Sequence, residues 1–293
     1  MMRSMIQLLT AVAVTALPVV PCWSASNFSA ADSSSWSANV GWIDWRHNVS
    51  SGVEIDQFVA SGFIYSPNIG WLNLGSGRPI NGIAYQNSTA SDFGVNLDSE
   101  GNLRGYAYSA NVGWINFEAI GQPQLDLSTG RLTGFAYGSN IGWISLSGSG
   151  YTLRVDFVGN GRDSDEDGIP DAWELQHGNS LNALSRTGDI DGDGHTDLEE
   201  YLADTDPADP TDRLSILKME LRPGGNVSLT WRSSTKRQYG IQSAGFLSDN
   251  GLWNNLVPRV ISGSGSIETH ELSVPSGETQ GFFRLQVVRP LAP

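Results

Sequence analysis

Cysteine is nearly missing from this chain. The only one in 293 residues is Cys22, inside the N-terminal apolar stretch. Once that stretch is removed, no disulfide, thiolate nucleophile or thiolate metal site is available. Histidine is almost as scarce: His47, His177, His195 and His270 are all there are, and none stands in a His-Glu-x-x-His zinc pattern. There is no Gly-x-Ser-x-Gly elbow, and Gly263-Ser264-Gly265 is only a glycine-serine turn. No glycine-rich phosphate loop ends in Lys-Ser/Thr. Most catalytic classes are thereby removed, and the chain reads as a non-enzyme. Scattered acids such as Asp44 and Glu118 leave a glycosidase as the remaining catalytic alternative.

Long apolar runs are also lacking. The one candidate, Ile6 to Val20, is interrupted by Gln7, Thr10, Thr15 and Pro18. It follows Arg3 and precedes the small residues Ser24, Ala25 and Ser26, which is the layout of an export signal over residues 1–26. A membrane span needs about 20 apolar residues, so an uncleaved anchor fits less well. Val19-Val20-Pro21 before Cys22 suits lipid attachment poorly. The expectation is a secreted or cell-surface protein that does not span a membrane when mature. Without disulfides it must be held by core burial or by bound ions.

The net charge of −14 is concentrated in one place. Residues 151–212 hold 17 acidic side chains against Arg154, Arg162 and Arg186, a net of −14, and the flanking segments cancel. Such a block repels nucleic acid and anionic membranes. It also repels itself, and bound cations would relieve that.

Residues 36–150 contain a repeat. Four segments align: Trp36-Ser37-Ala38-Asn39-Val40-Gly41-Trp42-Ile43, Tyr65 to Leu72, Tyr108 to Ile115, and Tyr137 to Ile144. Their tryptophans Trp42, Trp71, Trp114 and Trp143 are 29, 43 and 29 residues apart, and Gly82-Ile83-Ala84-Tyr85 is a partial copy in the wider gap. Phe93 to Leu97, Leu103 to Tyr108 and Trp114 to Phe117 alternate like strands, with turns at Asp98–Asn102 and Asn111–Gly113. This predicts a repetitive all-β domain over residues 27–158, with sandwich, solenoid and barrel all open. The fixed place of each tryptophan after Asn-Val/Ile-Gly favours burial in a repetitive core over an exposed row stacking on sugars. Residues 213–293 read as a second β-module, an immunoglobulin-like sandwich with strands at Leu214–Leu221, Val227–Arg232, Tyr239–Ser243, Leu256–Ile261, Ile267–Val274 and Phe282–Val288. Trp231 and Trp253 fit core or edge positions there.

Between them, residues 159–212 carry two twelve-residue loops of EF-hand type. The first runs from Asp163 to Glu174 and the second from Asp189 to Glu200. Calcium takes six to eight hard oxygens, so carboxylates at loop positions 1, 3 and 5 must wrap around it. These are Asp163, Asp165 and Asp167, then Asp189, Asp191 and Asp193. Glycine at position 6 permits the turn. Ile169 and His195 at position 7 would offer backbone carbonyls, Asp171 and Asp197 at position 9 would reach through water, and Glu174 and Glu200 at position 12 would give two oxygens each. Asp171-x-x-Glu174 and Asp197-x-x-Glu200 also look like helix capping boxes. Capping leaves the alternating aspartates unexplained. The expected cofactor is two calcium ions.

The run Asp189 to Asp212, with Glu199-Glu200-Tyr201-Leu202 and Thr205-Asp206-Pro207, resembles the bacterial thrombospondin type 3 repeat, and Asp171-Ala172-Trp173-Glu174-Leu175 is similar. The resemblance covers about 50 residues and implies a calcium-stabilised linker of secreted and surface proteins, with ligands at the aspartates and glutamates named above. The N-terminal segments resemble a bacterial repeat with the core Gly-aromatic-Ala-Tyr/Trp-Ser-x-Asn-Val/Ile-Gly-Trp-Ile. Loop one departs from an intracellular EF-hand. Tyr151 to Phe157 alternates like a strand where a helix would enter, and Pro170 at position 8 has no N–H to give to a paired loop. The exiting helices are short, stopped by Gly178 and Pro207. This predicts a brace rather than a sensor, with affinity of about 10⁻⁵ to 10⁻³ M. The sequence thus points to a mainly β, calcium-binding, non-catalytic structural or adhesion protein with two small linker helices. The alternative is a glycan-binding adhesin that uses the tryptophan-rich repeats.

Overall fold

The computed structural model describes residues 26–47, 52–223, 226–244, 253–256, 261–273 and 281–293. The segment expected to be an export signal, with Cys22, lies outside the described residues, apart from Ser26. The chain is mainly β, with 42% strand and 7% helix. The described residues form two compact units, one of residues 26–183 with 290–293 and the other of residues 184–289. Each acidic loop belongs to a different unit.

Each repeat folds into a hairpin. The pairs are Phe28–Ser37 with Gly41–Asp44, Phe63–Ser66 with Gly70–Asn73, Leu103–Ser109 with Gly113–Asn116, and Phe135–Gly138 with Gly142–Ser145. The Asn-Val/Ile-Gly turn sets the geometry. In the second hairpin Ile69 N–H donates to the Ser66 carbonyl at 3.3 Å, with Pro67 supplying a preset φ, and Gly70 follows at φ +77°. The equivalent glycines Gly41, Gly113 and Gly142 sit at +79°, +79° and +73°, where a side chain would be strained.

The four hairpins pair edge to edge, and the last strand, Gly142–Ser145, returns to the first, Phe28–Ser37. The result is an eight-stranded antiparallel barrel, which resolves the three architectures left open by the sequence. At one end a ring of side-chain hydrogen bonds repeats the closure. The carboxamide Nδ2 of Asn68 donates to the Val40 carbonyl at 2.9 Å, Asn111 to Ile69 at 2.9 Å, Asn140 to Val112 at 3.0 Å, and Asn39 to Ile141 at 3.0 Å. Every repeat thus clasps its predecessor, and the first clasps the fourth.

The lumen is filled in layers of four. Val40, Ile69, Val112 and Ile141 plug the ring end, Ile43, Leu72, Ile115 and Ile144 fill the middle, and Trp45, Leu74, Phe117 and Leu146 close the far end; all are buried. Short strands at 54–61, 95–97, 124–133 and 151–155 extend the sheet from two barrel strands, adding Val53, Ile55, Val95, Leu125, Leu153 and Val155 to the same core.

The repeat tryptophans are not in that core. Trp42, Trp71, Trp114 and Trp143 stand outside the barrel, 52, 44, 44 and 45% exposed. Strand alternation explains this correction. In Gly-Trp-Ile the tryptophan and its neighbour must face opposite sides, and the middle of the narrow eight-stranded interior takes Ile or Leu. The partial copy is a loop rather than a fifth hairpin. Tyr85 is buried there, and its hydroxyl accepts from Gly77 N–H at 2.6 Å.

The second unit has two antiparallel sheets sharing one core. One orders Ile216–Leu221, Val227–Arg232 and Ile267–Leu272; in the other, Gln238–Ala244 pairs with Phe282–Val288, Asn254–Asn255 and Ile261–Ser262. Trp231, Leu229, Tyr239, Ile241 and Phe283 fill the core. Leu214 serves as a core side chain rather than a strand residue. Residues 257–260 and 274, within two of the expected strands, lie outside the described residues.

The asparagine ring gives a test. Asn68→Asp or Asn111→Asp keeps the shape, removes the donor and sets a carboxylate against a carbonyl. Each should cost the barrel unit about 1–3 kcal/mol. An unchanged denaturation midpoint would mean the ring contributes nothing to closure.

Candidate metal centre

The two loops have the same backbone. Position 4 is left-handed in both, at Glu166 (φ +61°) and Gly192 (φ +75°), and the position-6 glycines Gly168 and Gly194 lie at +97° and +96°. These kinks turn successive carboxylates inward. Ligand atoms of Asp163, Asp165 and Asp167 all lie within 4.8 Å of one another, as do those of Asp189, Asp191 and Asp193. Each loop is laced by its own N–H groups. Gly168 N–H donates to Asp163 Oδ2 at 2.9 Å and Gly194 N–H to Asp189 Oδ2 at 3.1 Å. Ile169 and His195, at position 7, donate to Asp167 Oδ1 and Asp193 Oδ1, both at 2.8 Å.

A seven-residue helix leaves each loop at position 9: α1, Asp171–His177, and α2, Asp197–Ala203. Position 9 does not join the carboxylate clusters. Asp171 Oδ1 accepts from Ser164 N–H at 2.7 Å and its Oδ2 from Ser164 Oγ at 2.6 Å, with Arg162 Nε at 3.2 Å. Asp197 accepts from Ile190 N–H at 3.1 Å and Ser185 N–H at 2.9 Å. Both aspartates therefore lock the N–H of loop position 2 and hold the loop against its helix.

The caps fall one residue before the expected boxes. Thr196 caps α2, accepting from Glu199 N–H at 3.2 Å while Glu199 Oε2 accepts from Thr196 N–H at 2.9 Å. Pro170 occupies the same place before α1 and offers no side-chain cap. Glu174 and Glu200 are thus not capping residues. Overlapping Thr-x-x-Glu and Asp-x-x-Glu spacings hid this, because only the first helical residue decides between them. The stop of α2 also differs. Asp204 ends it in the left-handed conformation (φ 60°), three residues before Pro207.

The two glutamates are the telling groups. Glu174 is 0% exposed and Glu200 is 1% exposed. Both oxygens of Glu174, Oε2 of Glu200, Oδ1 of Asp163 and Oδ2 of Asp191 and Asp193 are buried without a hydrogen-bond donor. Burial, and then the charges of Asp165, Asp167, Asp171 and Asp163, push the Glu174 carboxyl up to about 8. Burial, together with Asp191, Asp193 and Asp197, lifts Glu200 to about 8 against a hydrogen bond from Thr205. Asp163 and Asp191 are raised mainly by burial as well. Buried carboxylates without donors cost several kcal/mol each, and a hard cation among them supplies what they lack. The all-oxygen donor set suits calcium or a similar hard ion and does not suit zinc or copper.

Each loop is fixed to its own unit. Strand Tyr151–Val155 precedes the first loop, with no helix described between them. In the second unit, buried Arg237 donates to the Leu202 and Tyr201 carbonyls at 2.7 and 2.5 Å, closing the end of α2. Asp204 adds an ion pair to Lys236 at 3.2 Å, and Arg213 Nη1 donates to the Asp193 carbonyl at 3.2 Å. Nothing in the sequence marked Arg237, which meets α2 from 35 residues away.

Compared with protein-family models, curated proteins and solved structures, the chain matches none.

The raised carboxyls fix a pH dependence. A carboxyl with a folded-state pKa near 8 binds its proton more tightly folded than unfolded, so it adds stability below about 4.5 that is lost as pH rises through about 8. Metal-free protein should therefore melt higher at pH 5.5 than at pH 8.5. In saturating calcium the order should reverse, because protons and the ion compete for the same oxygens. Thermal melts at both pH values, with and without chelator, check the sign.

Proposed function

We propose that this chain is an exported, non-catalytic structural or adhesion protein of the cell surface or surroundings, with one calcium ion in each acidic loop. The observation that carries this reading is Glu174. It is completely buried, both its oxygens lack a donor, and it lies against the carboxylates of Asp163, Asp165 and Asp167. The ligands would be Asp163, Asp165, Asp167 and Glu174 with the Ile169 carbonyl, and Asp189, Asp191, Asp193 and Glu200 with the His195 carbonyl. Asp171 and Asp197 position the loop. The loops would be of thrombospondin type 3 character and the second unit an immunoglobulin-like sandwich.

The ion acts as a brace. It neutralises carboxylates that otherwise oppose folding, and it ties position 12, on the helix, to positions 1, 3 and 5 on the loop. A ligand that binds only the folded form stabilises it by about 2.7 kcal/mol at a hundred times its Kd. Because each loop is built into a different compact unit, each ion stabilises its own unit.

Calorimetric titration should find two calcium ions per chain, with Trp173 fluorescence following the first loop. Glu174→Gln should remove one ion and lower the melting of the barrel unit; Glu200→Gln should remove the other and lower that of residues 184–289. Chelator should open residues 160–212 to protease. A stoichiometry of zero, or equal cleavage with and without calcium, rejects the reading. The outward tryptophans favour a second reading, that the repeats bind glycans.

A further inference from the structure

The barrel exterior carries four matching aromatic clusters that the fold covers only in part. Trp42, Trp71, Trp114 and Trp143 each meet an aromatic ring across their own hairpin, at 5.0, 4.8, 4.9 and 4.9 Å between centroids. The rings are inclined at 55–67°, and each indole also meets a further ring, Tyr151, His47, Phe93 and Phe135 in turn at 5.2, 5.5, 5.1 and 6.0 Å, yet each tryptophan stays 44–52% exposed. Such contacts help hold a hairpin by about 0.5–1.5 kcal/mol each, which smaller side chains with less exposed apolar area could approach.

The neighbours of these rings are polar and under-used. The next strand places Asp44 opposite Tyr65, Asn73 opposite Tyr108, and Asn116 opposite Tyr137. Asn73 Oδ1 accepts from Gly75 N–H at 2.9 Å and Asn116 Oδ1 from Glu118 N–H at 2.5 Å. Their Nδ2 groups and the hydroxyls of Tyr108 and Tyr137 make no hydrogen bond among the described residues. Within the register-paired stretches of the hairpins Asp44 is the only Asp, Glu, Lys or Arg; Asp32 and Arg104 lie farther along the same strands, and His47 stacks on Tyr65 at 4.3 Å.

We propose that these faces are binding platforms for neutral polysaccharide, and that the protein cross-links several chains at once. An indole face accepts the C–H face of a pyranose ring, while the unused carboxamide and phenol donors meet its hydroxyls. An apolar protein surface would bury those donors unpaired, at a cost. No Lys or Arg lies in the register-paired stretches that carry the platforms, which leaves them without a fixed positive charge to attract anionic polymers. Successive hairpins occupy successive quarters of a closed ring, so the platforms look outward in four directions. One stiff chain cannot reach all four, so the valency bridges separate chains rather than wrapping one. The inference deepens the glycan reading and is independent of the calcium loops.

The test uses residues 27–293 in saturating calcium, run in native gels containing galactomannan, mixed-linkage β-glucan or starch, with polygalacturonate as the anionic control, alongside turbidity of the same soluble polymers. At least one neutral polymer should retard the protein and be precipitated by it, and polygalacturonate should do neither. A variant with only Trp71 left, the other three changed to Ala, should still bind, about 100-fold more weakly, and should precipitate nothing. The double variant Asn73→Asp, Asn116→Asp keeps both backbone contacts and removes the donors, so it should bind at least 10-fold more weakly at unchanged melting temperature. Retardation without precipitation overturns cross-linking but leaves the glycan reading. No retardation by any neutral polymer, equal retardation by polygalacturonate, or full binding by the double variant sinks both. A concentration-dependent self-association abolished by the tryptophan changes would make a second copy the occupant and overturn the proposal.

Discussion

Closure is the constraint from which the barrel follows. Most strands of the four hairpins are four residues long, too short for an open sheet to protect its edges or bury a face well. A closed ring has no edges. The repeat therefore needs a feature that joins each copy to the next at a fixed offset. Asparagine in the turn does this, because its carboxamide reaches the preceding turn's carbonyl while the following glycine takes the positive φ that brings the turns together. Within each hairpin, backbone bonds fix the other end, where Trp45, Leu74, Phe117 and Leu146 N–H groups reach Ser33, Gly62, Gly105 and Gly134 carbonyls at 2.8–3.0 Å. Four copies complete the circle, and the lumen they enclose admits one side chain from each copy per layer, aliphatic at the ring end and in the middle and aromatic at Trp45 and Phe117.

The acidic loops solve a different problem with the same economy of repeats. Their two helices are too short to be stable alone, since isolated helices below about 12 residues are marginal in water. α2 survives because its N-terminus has a full capping box and its C-terminal carbonyls are held by Arg237. α1 lacks the box, having proline in the capping place, and relies on Asp171 locked to Ser164 and on Trp173 buried against the fold. In both, the last loop carboxylate is driven into a place where water does not follow. That arrangement is unfavourable for a bare carboxylate and favourable for one sharing a cation.

Much of this was legible in the sequence, because the information was local. The hairpins follow from aromatic and β-branched alternation around Asn-Val/Ile-Gly, and the carboxylate clusters follow from alternate aspartates before glycine. What was hidden depended on phase or on distance. Alternation says that Trp114 and Ile115 face opposite sides but not which side is inside; the size of the lumen decides that. Closure joins Ser37 to Ile144, more than a hundred residues apart, and no local pattern separates it from an open solenoid. The capping register turned on a single residue, Thr196 against Asp197.

The division of the acidic segment bears on what the ions can do. Paired EF-hand loops share a short sheet, so one ion prepares the site for the next and the pair responds steeply. Here the N–H that such pairing uses is missing at Pro170, and the two loops are parts of different compact units. Each loop packs within its own unit, and coupling between two sites needs a two-state element that both share. Two ions bound in this way would act as separate stabilisers, each of its own unit. Such behaviour would suit a protein that has to stay folded and would offer nothing to a signal that must switch.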